Sequence, residues 1–281
     1  ALLAAARRAG ADAADAVAVR GTSVAVDVRA GKLENAERSE GVDLGLRVFL
    51  GQRQAIVSAS DTAQRTIDEM AERAVAMARE APEDPHVGLA DPAQLARDTS
   101  AAELELADPT AEPDPATLQA RAEAAEAAAQ AVDQVTQGQS ASASYSARDI
   151  HIAASNGFGA GYSRTGSSLS CVAIAGEGLG MERDYDGDSR TFAADLRSAE
   201  EIGRTAGDRA VERLNPRKPP TGTYPVLFDE RISASLIGHL LSAISGAAIA
   251  RGSSFLRDAL GQQVLPEALR RAGEGTSASG L

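Results

Sequence analysis

The chain has 281 residues, 43% of them hydrophobic and 24% charged, with a net charge of -12; this is the composition of a soluble globular protein with room for two or more domains. A surface so acidic repels phosphate backbones, and the densest basic run is Arg217-Lys218 beside Arg213, which argues against direct nucleic-acid binding. A single cysteine, Cys171, excludes an internal disulfide and a cysteine-rich zinc site and is compatible with a reducing cytosol.

Aromatic residues make up only 3% and Trp is absent, so the apolar content is mostly Ala, Val, Leu and Ile. Residues 1–9 read as a helix stopped by Gly10. Val17 and Val19, then Val24, Val26 and Val28, then Leu44, Leu46, Val48 and Leu50 alternate with small or polar residues. Glycines punctuate the run at Gly31, Gly41 and Gly51, which predicts a meander of short antiparallel strands. Asp61 opens a second helix with Gln64 as its capping-box partner, and Ile67, Met70, Ala71, Ala74, Met77 and Ala78 form its apolar stripe.

Six prolines fall between residues 81 and 115, the mark of a linker. An Ala- and Glu-rich helix is expected over 118–135. Glycine-punctuated strands follow over 150–192, then a helix over 199–214. A second linker runs from Asn215 to Pro220, a short buried strand is expected over 224–228, and an apolar helix over 232–249. The 19 residues between Arg231 and Arg251 include no Asp, Glu, Lys or Arg, but four serines, two glycines and His239 oppose membrane insertion, so this helix is read as buried in a soluble protein.

The pattern predicts an α+β fold. An N-terminal helix and antiparallel-sheet domain occupies 1–80, a Pro-rich linker 81–115, a middle helix and sheet domain 116–214, and the start of a mixed C-terminal domain 221–281. The absent initial Met and the Gly-Ser tail from Gly273 to Leu281 suggest a fragment of a longer protein.

No catalytic motif is complete. The histidines are His86, His151 and His239; no two stand at i,i+4 and there is no H-E-x-x-H. A zinc peptidase needs a preformed set of ligands plus a Glu to take a proton from the metal-bound water. Serines are plentiful but none lies in a G-x-S-x-G elbow. Cys171, among alternating apolar residues, is read as buried. The glycine runs 157–161 and 176–180 miss the G-x-G-x-x-G spacing and read as sheet turns or bulges. Asp184, Asp186 and Asp188 beside Glu182 could converge on calcium, but Gly187 falls too early for an EF-hand loop, and a solvated turn is favoured.

Several runs together resemble one family. Gly10 to Asp15, Gly31-Lys32-Leu33-Glu34-Asn35, Gly45-Leu46-Arg47-Val48, Ser58-Ala59-Ser60-Asp61, Ser155-Asn156-Gly157 and Ser168-Leu169-Ser170 follow its order. Met181-Glu182-Arg183-Asp184-Tyr185, Leu214-Asn215-Pro216-Arg217-Lys218 and the run from Arg251 to Leu256 are the most specific. They are similar to the TldD/PmbA (modulator of DNA gyrase) family, and to its PmbA (TldE) branch more than its TldD branch.

The resemblance implies a pair of related subunits, of which the TldD-like one carries an H-E-x-x-x-H zinc motif on a helix. In the matching stretch from Leu236 to Ala243, Gly238 stands at the first His, His239 at the Glu and Ala243 at the second His. The expectation is therefore a cytoplasmic, non-catalytic subunit with no catalytic or metal residue of its own. Zinc would reside in a TldD-like paralogue forming a heterodimer with it. The substrates would be small peptide precursors or small unfolded proteins, held by strand addition to an exposed sheet edge, without direct contact to nucleic acid or membrane. Two alternatives remain open, a regulatory protein that binds DNA gyrase and a self-standing metallopeptidase.

Overall fold

The computed structural model describes residues 1–265; the Gly-Ser tail lies outside the described residues. Two compact units are present, Ala1–Pro216 and Arg217–Leu281.

The first unit is built on one six-stranded antiparallel sheet of order β3-β2-β1-β4-β5-β6. Its strands are β1 (Ala13–Arg29), β2 (Lys32–Leu50), β3 (Arg53–Ala59), β4 (Val135–Ala154), β5 (Gly159–Ala175) and β6 (Glu182–Arg190). The helices are α1 (Leu2–Arg8), α2 (Gln64–Glu80), α3 (Pro115–Gln130) and α4 (Ala199–Glu212). The fold is α+β as the pattern implies, but four of the strands are long. Gly41, read as punctuation, is paired with Gly21 inside the ladder. Neither has a positive φ, and β1 has a hydrogen-bonded neighbour on each side. A satisfied ladder overrides the local preference of a glycine to break it.

Because strand side chains alternate, the even residues of β1 share one face. Ala14 faces the core of α1 and α2 together with Leu44, Leu46 and Val48 of β2. Val24, Val26 and Val28 face that of α3 and α4 with Ala141, Ala143, Leu169 and Cys171. The two helix–sheet layers expected over 1–80 and 116–214 thus share a sheet, joined by the β1–β4 pairing of Asp15 to Val28 with Ala154 to Ala141. Each large side chain buried in these clusters contributes about 1.5–3 kcal/mol relative to exposure, so the β1 valines anchor both strand and helices. On α2 the buried set includes Val75, while Met77 is 48% exposed. The capping box does not form: the Asp61 carboxylate accepts from the Ala63 N–H at 2.9 Å and the Thr66 hydroxyl at 2.5 Å, and the Gln64 amide bonds Asp68 instead.

The Pro-rich stretch is pinned at its C-terminal end. Thr165 on β5 accepts from the Asp108 N–H at 2.7 Å and donates its own N–H to the Leu106 carbonyl at 3.0 Å. The largely buried Asp108 carboxylate accepts from the N–H groups of Thr110 and Ala193, both at 2.9 Å. The Thr110 N–H, then the Thr110 hydroxyl and the Ala193 N–H, hold the Asp108 carboxyl below the usual carboxylate range. A lowered native value means the unfolded chain binds the proton first. The stabilisation is therefore complete above the unfolded value near about 4 and is lost as pH falls through the lower native value. Thermal midpoints measured from neutral pH downward should fall below that point, and Asp108→Asn should lower the neutral midpoint while flattening the acid limb.

The second unit holds α5 (Glu230–Ala243) and α6 (Gly246–Ala250). The single helix expected over 232–249 is interrupted at Ile244 and Ser245, where Ser245 adopts extended backbone as the N-cap of α6. Residues 224–228 form no strand, and Val226 and Leu227 are exposed. Among the described residues no helix is long and apolar enough to cross a membrane.

Candidate functional site

Two places carry the side chains from which chemistry could be built, one in each unit. In the second, Asp229 caps α5 by accepting from the Arg231 N–H at 2.9 Å. Gly238, His239 and Ala243 all lie on this helix. His239 is exposed and Ala243 buried; one turn apart, they share a helix face. Gly238 has open space where a side chain would stand. Neither Gly238 nor Ala243 has a donor atom, so α5 offers a zinc ion one imidazole from these three positions, against the four-coordinate set that zinc takes. Among the described residues no three His, Cys, Asp or Glu side chains are grouped so that they could hold a metal ion.

In the first unit the helices leave a band of the sheet open between their two cores. There a cleft of about 570 Å³ is lined by Arg20, Thr22, Glu40, Asp61, Asp149 and Ser163 among others. Arg20 and Asp149 are cross-strand partners and form an ion pair at 3.0 Å. Ser163, the partner of Asp149 on β5, donates its hydroxyl to the same carboxylate at 2.6 Å. That hydroxyl first, and Arg20 second, lower the Asp149 pKa. Asp149, its basicity lowered by these two partners, is a poor base for drawing the proton from Ser163, so the cleft shows no activated nucleophile. His151 lies beside the cleft over Gly161, where an added Cβ would stand 2.7 Å from its Nδ1. His86 is in the loop after α2, its N–H bonded to Asp84 at 2.9 Å. The three histidines are thus on β4, in a loop and on α5. Arg20, Asp149 and Ser163 form no sequence motif, since they are brought together only by the β1–β4–β5 register; a charged or polar residue at each paired strand position is the one signal available.

The aspartates of β6 are not in a solvated turn. On alternate strand positions, Asp184 and Asp186 face α4 and are buried. Asp186 lies between Arg209 at 2.6 Å and Arg197 at 2.8 Å, and Asp184 pairs with Arg213 at 2.6 Å. Arg209 and Arg213, four apart at the end of α4, sit on one face of the helix. Three arginines already occupy these carboxylates, which leaves calcium no free oxygen pair.

The same residues close one edge of the sheet. The N–H groups of Tyr185 and Ser189 donate to the Asp184 and Asp188 carboxylates at 2.7 and 3.0 Å. The carbonyls of Gly187 and Tyr185 accept from Arg197 at 2.9 Å and Arg209 at 3.5 Å. An edge whose backbone groups are met by its own side chains resists pairing with another strand. The half of β2 not covered by β3 is exposed and carries Lys32, Glu34, Glu37, Arg38 and Glu40, a second deterrent. The opposite edge, β3, bears the uncharged run Gln54 to Ser58 with Ile56 63% exposed.

Comparison with known proteins places these features in a lineage. Models of the PmbA/TldA metallopeptidase match the chain in order, domain 1 at residues 14–78, the central domain at 108–214 and the C-terminal domain at 221–280. The chain is 34% identical to Metalloprotease PmbA of Escherichia coli O157:H7 over 258 residues, 91% of this chain and 56% of that protein. It is 35% identical to the Metalloprotease PmbA homolog of Haemophilus influenzae over 263 residues, 93% of this chain and 57% of the relative. The chain therefore spans little more than half the length of these curated relatives. A crystal structure from Bacteroides thetaiotaomicron, described as a candidate modulator of DNA gyrase, superposes with a TM-score of 0.84 at 22% identity, covering 94% of this chain and 60% of that one. TldE from Thermococcus kodakarensis gives 0.70 at 18% identity, covering 92% and 57%. These two likenesses establish the fold. By the ordered match of all three domain models and the identity to the curated relatives, the chain belongs to the PmbA/TldD family.

Proposed function

We propose that this chain is the zinc-lacking subunit of a cytoplasmic metallopeptidase heterodimer, which helps to hold peptides or small unfolded proteins while a TldD-like paralogue supplies the zinc and the hydrolytic chemistry. The observation that carries the reading is the composition of α5, where Gly238 and Ala243 stand without donor atoms and His239 is the lone imidazole of the three positions. The names of the relatives, Metalloprotease PmbA and TldE, agree with a role in proteolysis. An extended peptide held by strand addition would pair with β3, since β6 has spent its edge groups internally.

Co-expression with the TldD-like paralogue tests this. Capture of this protein should retain the paralogue, and metal analysis of the complex should find zinc in proportion to the paralogue. Stoichiometric zinc in the protein purified alone would instead support the self-standing peptidase. A second reading, binding to DNA gyrase, is favoured by the description of the Bacteroides neighbour. The charge of -12 speaks against DNA and not against a protein surface. A pull-down with purified gyrase separates the readings, a retained complex favouring the second.

A further inference from the structure

The face of the sheet opposite the four helices carries the odd residues of β1 and the even residues of β4 and β5. Its central row runs Gly41, Gly21, Arg148, Arg164 across four adjacent strands. Arg148 and Arg164 are direct cross-strand partners, both exposed. Neither guanidinium has a hydrogen bond or ion pair with any described residue, whereas the side chain of every other arginine on the six strands has a partner. Two like charges placed directly opposite each other repel, and a chain with 40 acidic residues has ample means to neutralise them. Instead, the row beside them is flat. Gly41 has open space at the Cβ position, and at Gly21 a Cβ would make ordinary contacts with Arg148 Cγ at 3.5 Å and the Ala147 carbonyl oxygen at 3.6 Å.

The neighbouring row on one side runs Asp43, Val19, Ile150 and Tyr162, apolar from β1 to β5 with Tyr162 38% exposed, and closed at its β2 end by the exposed Asp43. On the other side it is hydroxyl-rich, Ser39, Ser23 and Ser146. A shallow trough thus offers two unpaired guanidinium groups next to an apolar strip, which is the complement of a carboxylate beside an apolar side chain. A phosphate polymer, charged at every unit, would meet the repulsion of a chain of net charge -12 repeatedly and has no group for the apolar strip, whereas a peptide with a carboxylate between apolar side chains meets it once and fills the strip. We propose that this helix-free face binds an acidic peptide segment, with Arg148 and Arg164 gripping one of its carboxylates and the strip of Val19, Ile150 and Tyr162 seating the adjacent apolar side chain. The peptide nature of the ligand rests on the proposed role in peptide handling; the charge preference rests on the arginine pair alone.

The probe is a short fluorescein-labelled peptide with a glutamate pair flanked by leucines, compared with its glutamine counterpart by fluorescence anisotropy on the full chain. The glutamate peptide should bind more tightly by on the order of tenfold, a preference that one charge-assisted contact can supply. Arg148→Gln with Arg164→Gln should abolish that preference. The same change should leave the thermal midpoint unchanged or higher, because it relieves a repulsion; an arginine pair with a merely structural role would lower it. Should the double variant not fold, either single substitution gives the same readout with a smaller loss. Equal binding of the two peptides, or a glutamate preference that survives the double substitution, would overturn the proposal. No paralogue or zinc enters the assay, so such a result leaves the subunit assignment standing, and a failed co-purification leaves this one readable.

Discussion

Gly203→Ala is expected to destabilise the first unit by about 2–3 kcal/mol, a large share of the stability of a domain. The α3–α4 interface is built from Ala122, Ala125 and Ala129 against Gly203, Ala206, Gly207 and Ala210. A Cβ at Gly203 would stand 2.0 Å from the Ala125 carbonyl oxygen and 3.0 Å from the Ala128 Cβ. The obstacle at Ala125 is backbone, so the helices must separate rather than a side chain rotate. The better helix propensity of alanine, about 1 kcal/mol, opposes the loss without cancelling it. Gly238 on α5, with nothing near its Cβ position, is the control, and alanine there should strengthen the helix. Denaturant melts of both variants check the sign difference, and a neutral Gly203→Ala would mean the two helices are not in close contact.

Glu126→Ala should cost about 2–4 kcal/mol, because it removes the buried carboxylate that fixes the β1–β2 turn. Ala30 and Gly31 form that two-residue turn with φ of 52° and 67°, the geometry of a type I′ hairpin. Alanine tolerates this conformation poorly. Glu126, 1% exposed on α3, accepts both turn N–H groups at 2.7 Å and so holds the strained turn against the core. Gly138 makes room for it, since a Cβ there would lie 2.6 Å from Glu126 Oε1. The two positions should therefore be coupled. Gly138→Ala should be costly in the wild-type background and much cheaper once Glu126 is alanine, with a coupling of about 1 kcal/mol or more in a double-mutant cycle. Additive costs would show that the carboxylate and the glycine do not share this space. Cys171, buried nearby and with its pKa pushed up to about 12 by burial and by the charge of Glu126, is a thiol kept from reaction.

What could be read from residue order was the local content. Alternation gave the strands, the stripe of Ile67, Met70, Ala71 and Ala74 gave α2, and the helix of α3 followed from its alanines. Strand length was hidden because Gly41 looks like a turn until its pairing with Gly21, itself held in a ladder on both sides, carries both strands through. Asp184 and Asp186 looked solvated because their counter-ions, Arg197, Arg209 and Arg213, stand on α4 or at its ends, and charge pairing across elements leaves no spacing signal. Glu126 was indistinguishable from the other glutamates of its helix, since its partners lie 95 and 96 residues away. The Arg20–Asp149–Ser163 cluster and the Arg148–Arg164 pair depend likewise on sheet register. The positions on α5 were legible for a different reason: the absence of a donor at Gly238 and Ala243 is a property of the residues, not of their surroundings.

The subunit assignment is tested most directly by hydrolysis of a labelled peptide by this protein alone, by the TldD-like paralogue alone and by the mixture, each with and without a chelator. Full activity confined to the mixture and lost on chelation is the predicted result. Chelator-sensitive hydrolysis by this protein alone would contradict it, and would place a working zinc site where Gly238, His239 and Ala243 provide a single ligand.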